Sequence, residues 1–374
     1  MSYMRTGILA CILPAVLALA AAGCAASPSG SGRVAPPREA KEAEAAHAVF
    51  QMPRPGSNVD FDSDLVIVSG ASSPTATTIK IAGRGARGIG VVRLSPDGLR
   101  VLVQVHYDAA AFEWHVVDTN GSGLRKISKP TNGPASWSPN GASVAWEDLS
   151  APGGAIVTDL TSGSERRISG ASWPAWSPDG SSLACVIQER RTDVDTGPVL
   201  SAFRISDGRS TVLFDPTKYA GGVQESAFIH SPIWSEDGRL IAFAYEGNAL
   251  AGTGIYVLEA EQPESNTRSE PGKPHLVSKV DDVAAAIHNM VWLPGGSIVW
   301  AGKDGLMIAR RESGEDGWST KKIASTPTPD DRIEGLQLNP AKDMLFWEQV
   351  SSDGQHIICL HLKDWKTSPV MRTE

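Results

Sequence analysis

The 374-residue sequence predicts an all-β chain folded as one β-propeller, and three observations carry that prediction. A turn motif recurs six times along the chain. Each copy is followed at once by a short apolar run. Successive copies, counted from Leu94 through Trp137, Trp176, Trp234 and Trp292 to Leu338, are 43, 39, 58, 58 and 46 residues apart. A period near 40 with room for four strands per unit is the mark of a propeller blade.

The clearest copy is Trp176-Ser177-Pro178-Asp179-Gly180, which precedes Leu183-Ala184-Cys185-Val186-Ile187. Proline presets φ at the second place of a four-residue turn, and Asp and Gly suit the places after it. Flanked by apolar segments, this is a hairpin signal. Leu94-Ser95-Pro96-Asp97-Gly98, Trp137-Ser138-Pro139-Asn140-Gly141 and Trp234-Ser235-Glu236-Asp237-Gly238 repeat it. Trp292-Leu293-Pro294-Gly295-Gly296 and Leu338-Asn339-Pro340 are degraded copies. Third strands follow, as at Glu113 to Val117 and Ile255 to Leu258, and then a short fourth, as at Arg166 to Ile168. The two long spacings hold insertions, around Arg190 to Gly197 or Lys218 to Gln224, and around Glu259 to Gly272. Ahead of the first motif, Leu65 to Val68 and Thr78 to Ile81 form a strand-like fragment. Six motif blades and this fragment predict seven blades, the fragment being completed by C-terminal residues. Six blades is the alternative.

The chain before the propeller reads differently. Residues 1–23 have one positive charge, Arg5, an apolar run from Ile8 to Ala22, and small residues at the end, as a signal peptide does. Removing them takes away one Arg and no acid, so the net charge of −8 becomes −9. A mildly acidic chain without a basic tract gives no support for nucleic-acid binding. Residues 24–58, rich in Ala, Ser, Gly, Pro and charge, read as a disordered tether, within which Glu39 to Val49 could turn helical. The propeller is expected to occupy 59–374. Cys185 and Cys359 lie in apolar runs and are expected to be buried free thiols.

Two resemblances add to this. Ala21-Ala22-Gly23-Cys24 resembles the lipobox of bacterial lipoproteins, with Ala21 where leucine is commoner. It implies that Cys24 becomes the N-terminus and carries lipid, palmitate included, which anchors the chain on the extracytoplasmic side of a membrane. The turn motifs and their Ile-Ala-Phe-like strands resemble the propeller repeat of the TolB family over roughly residues 90 to 350. No counterpart of that family's separate α/β domain is expected here. The resemblance implies a cell-envelope binding module for a protein or glycan, acting as a monomer and needing no cofactor.

Candidate chemistry comes from the repeat register. Innermost strands line a propeller channel, and the residue four before each motif Trp or Leu reads Gly90, Gly133, Ser172, His230, His288 and Glu334. His230, His288 and Glu334, on three consecutive blades, are the candidate channel ligand-binding set. They would suit a divalent metal or proton transfer, and hence a lyase-type enzyme as the alternative function. A one-residue slip would turn such side chains away. The repeat tryptophans, by contrast, are expected to fill the wedges between blades. Asp193 and Asp195 alternate as a calcium loop does, but lack further acidic ligands. No Gly-x-Ser-x-Gly elbow is present, and no hydrolase domain is expected.

Overall fold

The computed structural model describes residues 45–54, 63–70, 74–81, 88–108, 111–150, 153–191, 194–219, 227–248, 250–260, 273–280, 283, 285–312, 317–328 and 330–372. Cys24, the leader and most of the tether lie outside the described residues, as does Asp193. The described strands form seven antiparallel sheets, six of four strands and one of three, each a meander of consecutive strands. These are the seven blades of a propeller. Their innermost strands are Ala48–Pro53, Gly88–Leu94, Ala135–Trp137, Ala171–Trp176, Phe228–Trp234, Met290–Leu293 and Arg332–Leu338, blades 1 to 7 in chain order.

The core lies between the blades. Among the described residues seven buried apolar clusters are present, and each joins two consecutive blades, one of them joining blade 7 to blade 1. Trp146, Trp300 and Trp347 are buried in these wedges, as expected. The motif tryptophans also act across the wedge. Trp137 Nε1 donates to Arg93 O of blade 2 at 3.1 Å, Trp234 Nε1 to Ala175 O at 3.1 Å, and Trp292 Nε1 to Ile233 O at 3.2 Å. Trp176 breaks the series, since its Nε1 is buried without a partner.

The motif itself is a closed hydrogen-bonded turn. Ser177 Oγ donates to Asp179 Oδ1 and accepts from Ser182 N, while Asp179 Oδ1 accepts from Ser181 N. The same set recurs at Ser95, Ser138 and Ser235. Gly180 sits at φ 72°, a left-handed conformation that favours glycine. In the worn copy of blade 7, Lys342 holds that conformation at φ 58°, and Asn339 Oδ1 takes over the serine's role towards Met344 N.

Two expectations are corrected. First, the propeller begins before residue 59. Ala48–Pro53 is the innermost strand of blade 1, within the stretch read as tether, and Val49 is strand and not helix. Its alternation has a purpose: Val49 packs towards blade 2, and Ala48, Phe50 and Met52 towards blade 7. Second, among the described residues blade 1 takes no C-terminal strand. Lys366–Arg372 pairs with Gly354–His361 as the outer strand of blade 7, because a short hairpin costs less loop entropy than a return across the ring. The ring closes instead through side chains. Gln337 Oε1 accepts from Val49 N at 2.9 Å, and its Nε2 donates to Val49 O at 2.6 Å.

Of the insertions, the first extends a blade. Ser182–Arg191 and Val194–Arg204 form a long hairpin, in which the backbone of Asp195 lies opposite that of Arg190. Cys185 and Cys359 are buried free thiols, and burial raises the pKa of both.

Candidate functional site: the central channel

The innermost strands position the site through a shared irregularity. In blades 2, 4, 5 and 7 the pairing of the first strand slips by one residue, between Ile89 and Val92, Ser172 and Ala175, His230 and Ile233, and Glu334 and Gln337. A bulge of this kind re-aims side chains. In blades 4 to 7 one residue of this stretch takes positive φ: Trp173 at 54°, Ser231 at 47°, His288 at 66° and Gly335 at 61°. For a bulky residue such as Trp173 this is a strained conformation, of the sort kept where the surroundings enforce it.

The enforcing contacts run from blade to blade. Trp173 N donates to the Glu147 carboxylate of blade 3 at 3.1 Å, and His288 N to Ser231 Oγ of blade 5 at 3.1 Å. Leu336 N donates to Asn289 Oδ1 of blade 6 at 3.2 Å. In blades 4, 6 and 7 the backbone at or next to the left-handed residue is thus tied to the blade before it.

All four positive-φ residues line one cavity of about 520 Å³, walled by the innermost strands of blades 2 to 7. The residue directly before each motif Trp or Leu also faces it: Arg93, Ser136, Ala175, Ile233, Val291 and Gln337. Trp176, Trp234 and Trp292 add their edges to the wall. At the turn end Lys342 Nζ pairs with Glu236 Oε1 at 2.6 Å, joining blades 7 and 5. Both side chains are about half exposed, so this pair adds little stability.

The three residues singled out by the register do not form one set. His230 lies behind Trp173, its ring edge-on at 5.6 Å, and stacks on Phe228 at 5.9 Å. His288 packs against Trp173 at 4.8 Å and lines the cavity, whereas His230 does not. The reason is the feared slip: blade 6 places its left-handed residue at His288, while blade 5 places it one residue after His230. Glu334 turns to Arg332, with which it makes an ion pair, and its side chain is 46% exposed. No group of three His, Cys, Asp or Glu among the described residues is placed to hold a metal ion. The metal expectation for His230, His288 and Glu334 is therefore not met by their geometry.

Electrostatics sharpens the contrast. Burial, then the Arg93 and His230 charges, hold His288 down at about 4, so it is neutral at pH 7. Burial lowers His230 as well, partly opposed by Glu246. Burial alone brings Arg93 to about 10, which still leaves it protonated. Arg93, Trp173 and Ser231 went unnoticed in the sequence. The same repeat ruler, read one residue before the Trp instead of four, finds the only charged member of that ring.

No protein-family profile matches the chain, and no curated protein matches it. Solved structures do. An oligogalacturonate lyase from Vibrio parahaemolyticus is similar over 88% of this chain and 87% of its own, at TM-score 0.52 and 11% identity. Prolyl oligopeptidase B from Galerina marginata is similar over 78% of this chain and 44% of its own, at TM-score 0.52 and 10% identity. TolB from Acinetobacter baumannii is similar over 88% and 80%, at TM-score 0.46 and 11% identity. At such identities the likeness shows the fold alone.

Proposed function

We propose that this chain is a non-enzymatic binding propeller of the cell envelope, anchored to a membrane by lipid on Cys24, which engages an envelope protein or glycan through its channel. The observation that carries this reading is the aromatic-walled cavity around Trp173. Its volume of about 520 Å³ falls within the ~300–1,000 Å³ typical of binding sites. The strain at Trp173, held by Glu147 of the neighbouring blade, supports it, because such conformations cluster at ligand sites. The leader and Cys24 supply the address.

The test is capture from an envelope extract by the full chain and by its Trp173→Ala variant. One dominant protein or glycan should be retained by the first and lost from the second, with circular dichroism and Tm reporting that the variant remains folded. Equal capture by both would refute the channel as the binding site. In parallel, Cys24→Ala should move the protein from the membrane fraction to the soluble fraction.

The alternative, a lyase-type enzyme with a metal at His230, His288 and Glu334, draws on the two imidazoles beside Trp173. Glu334, facing Arg332, does not complete such a site. Elemental analysis separates the readings: a stoichiometric Mn, Fe or Zn would favour the enzyme.

A further inference from the structure

We propose that the channel takes a small organic monocarboxylate, whose acid group seats on the Arg93 guanidinium and whose apolar body lies against Trp173. This rests on the channel being a binding site and goes beyond the protein or glycan reading by assigning that site a small-molecule ligand. Four titratable side chains line the cavity: Arg93, Glu236, His288 and Lys342. Glu236 and Lys342 neutralise each other at the turn end. His288 is neutral. One positive charge is left, on Arg93.

That charge has no counter-ion among the described residues. Arg93 Nη1 donates to Val92 O at 2.9 Å, and no carboxylate pairs with it. The neighbours at its level in the ring cannot serve, for three are Ala175, Ile233 and Val291. Ser136 and Gln337 are neutral: the Ser136 hydroxyl donates to Pro174 O at 2.8 Å, and the Gln337 amide bonds Val49. An enclosed charge is costly unless it is paired. The guanidinium fork matches a carboxylate in bidentate geometry. A single cation balances a monoanion better than a phosphate dianion. Around it, Val92, Ile233, Val291 and the rings of Trp173, Trp176 and Trp234 form an apolar wall suited to the body of an organic acid.

The experiment is a titration of intrinsic tryptophan fluorescence with phenylacetate, with its neutral isostere phenylacetamide, and with inorganic phosphate, on the purified chain. Phenylacetate should bind at least ~10-fold tighter than the amide, the factor that about 1.4 kcal/mol confers. Phosphate should neither bind nor compete. Arg93→Met should abolish the preference for the acid, and Arg93→Lys should keep part of it. Thermal denaturation gives a second readout. Without ligand, Arg93→Met should raise Tm, because it removes an unpaired charge, and phenylacetate should raise Tm of the wild type only. The proposal falls if acid and amide bind alike, if neither binds at millimolar concentration, if phosphate displaces phenylacetate, or if Arg93→Met retains the preference. Equal binding of acid and amide would leave the channel as the binding site and refute only the charge assignment.

Discussion

Trp146→Ala is expected to destabilise the propeller by about 3–5 kcal/mol, the range for removing a large aromatic from a packed core. Trp146 is fully buried between blades 2 and 3, against Trp114, Trp137 and Ile156 among others. Its Nε1 donates to Thr158 Oγ1 at 2.9 Å, so truncation also orphans a buried hydroxyl. Trp347 provides the control. It is 2% exposed between blades 6 and 7, yet its Nε1 has no partner. Phenylalanine should therefore be tolerated better at 347 than at 146, by about 1 kcal/mol, the worth of one hydrogen bond. Denaturant unfolding of the two Phe variants measures this difference. Equal losses would mean that the indole N–H of Trp146 contributes nothing.

Glu348→Gln should stabilise the chain at pH 8 and above, and leave it nearly unchanged near pH 4. Glu348 is 6% exposed and lies directly opposite Glu334 on the neighbouring strand. Burial first, then the Glu334 charge, push its carboxyl up to about 8, with Arg332 opposing. In the unfolded chain a glutamate titrates near 4.3. Between those values the folded chain holds a proton that the unfolded chain has released. Stability from this group is therefore complete below about pH 4, falls as pH rises, and is gone above about pH 8. At 1.36 kcal/mol per pH unit the full loss is on the order of 5 kcal/mol. Glutamine keeps the neutral form at every pH and removes the slope. The turn aspartates act in the opposite sense. The Ser235 hydroxyl, first of several groups, holds Asp237 below the usual carboxylate range. Burial raises Asp179, but the hydrogen bonds from Ser177 and Ser181 outweigh it. Their contribution is present above pH 4 and is lost in acid. Glu348→Gln should thus shift the pH of maximal stability upward, which Tm measured from pH 4 to 9 would show. An unchanged Tm profile would mean that Glu348 ionises freely in the folded chain.

The blades were legible because their turn chemistry is local. Ser177, Asp179 and Gly180 make their bonds within six residues, so the motif carries its own structure wherever it recurs. Blade 1 was half legible: Leu65 to Val68 stood out, but Ala48–Pro53 is followed by no turn motif and owes its place to packing against blades 2 and 7. The channel was legible as a place and not as a set of residues. A left-handed residue re-aims the side chains around it, and whether it falls at a histidine or one residue after it goes with contacts to another blade, such as His288 N to Ser231 Oγ, 57 residues apart. No local pattern encodes that. Trp173 was hidden for the same reason, since its conformation is imposed by Glu147 of blade 3.

The central claim is that the channel is where the partner binds, and site-directed photo-cross-linking tests it most directly. A benzophenone amino acid in place of Trp173, and another in place of the exposed Lys321 on the outer strand of blade 6, would be irradiated in whole envelopes. A discrete cross-linked product from position 173, absent from position 321, is the result the channel account predicts. Cross-linking from position 321 with none from position 173 would contradict it.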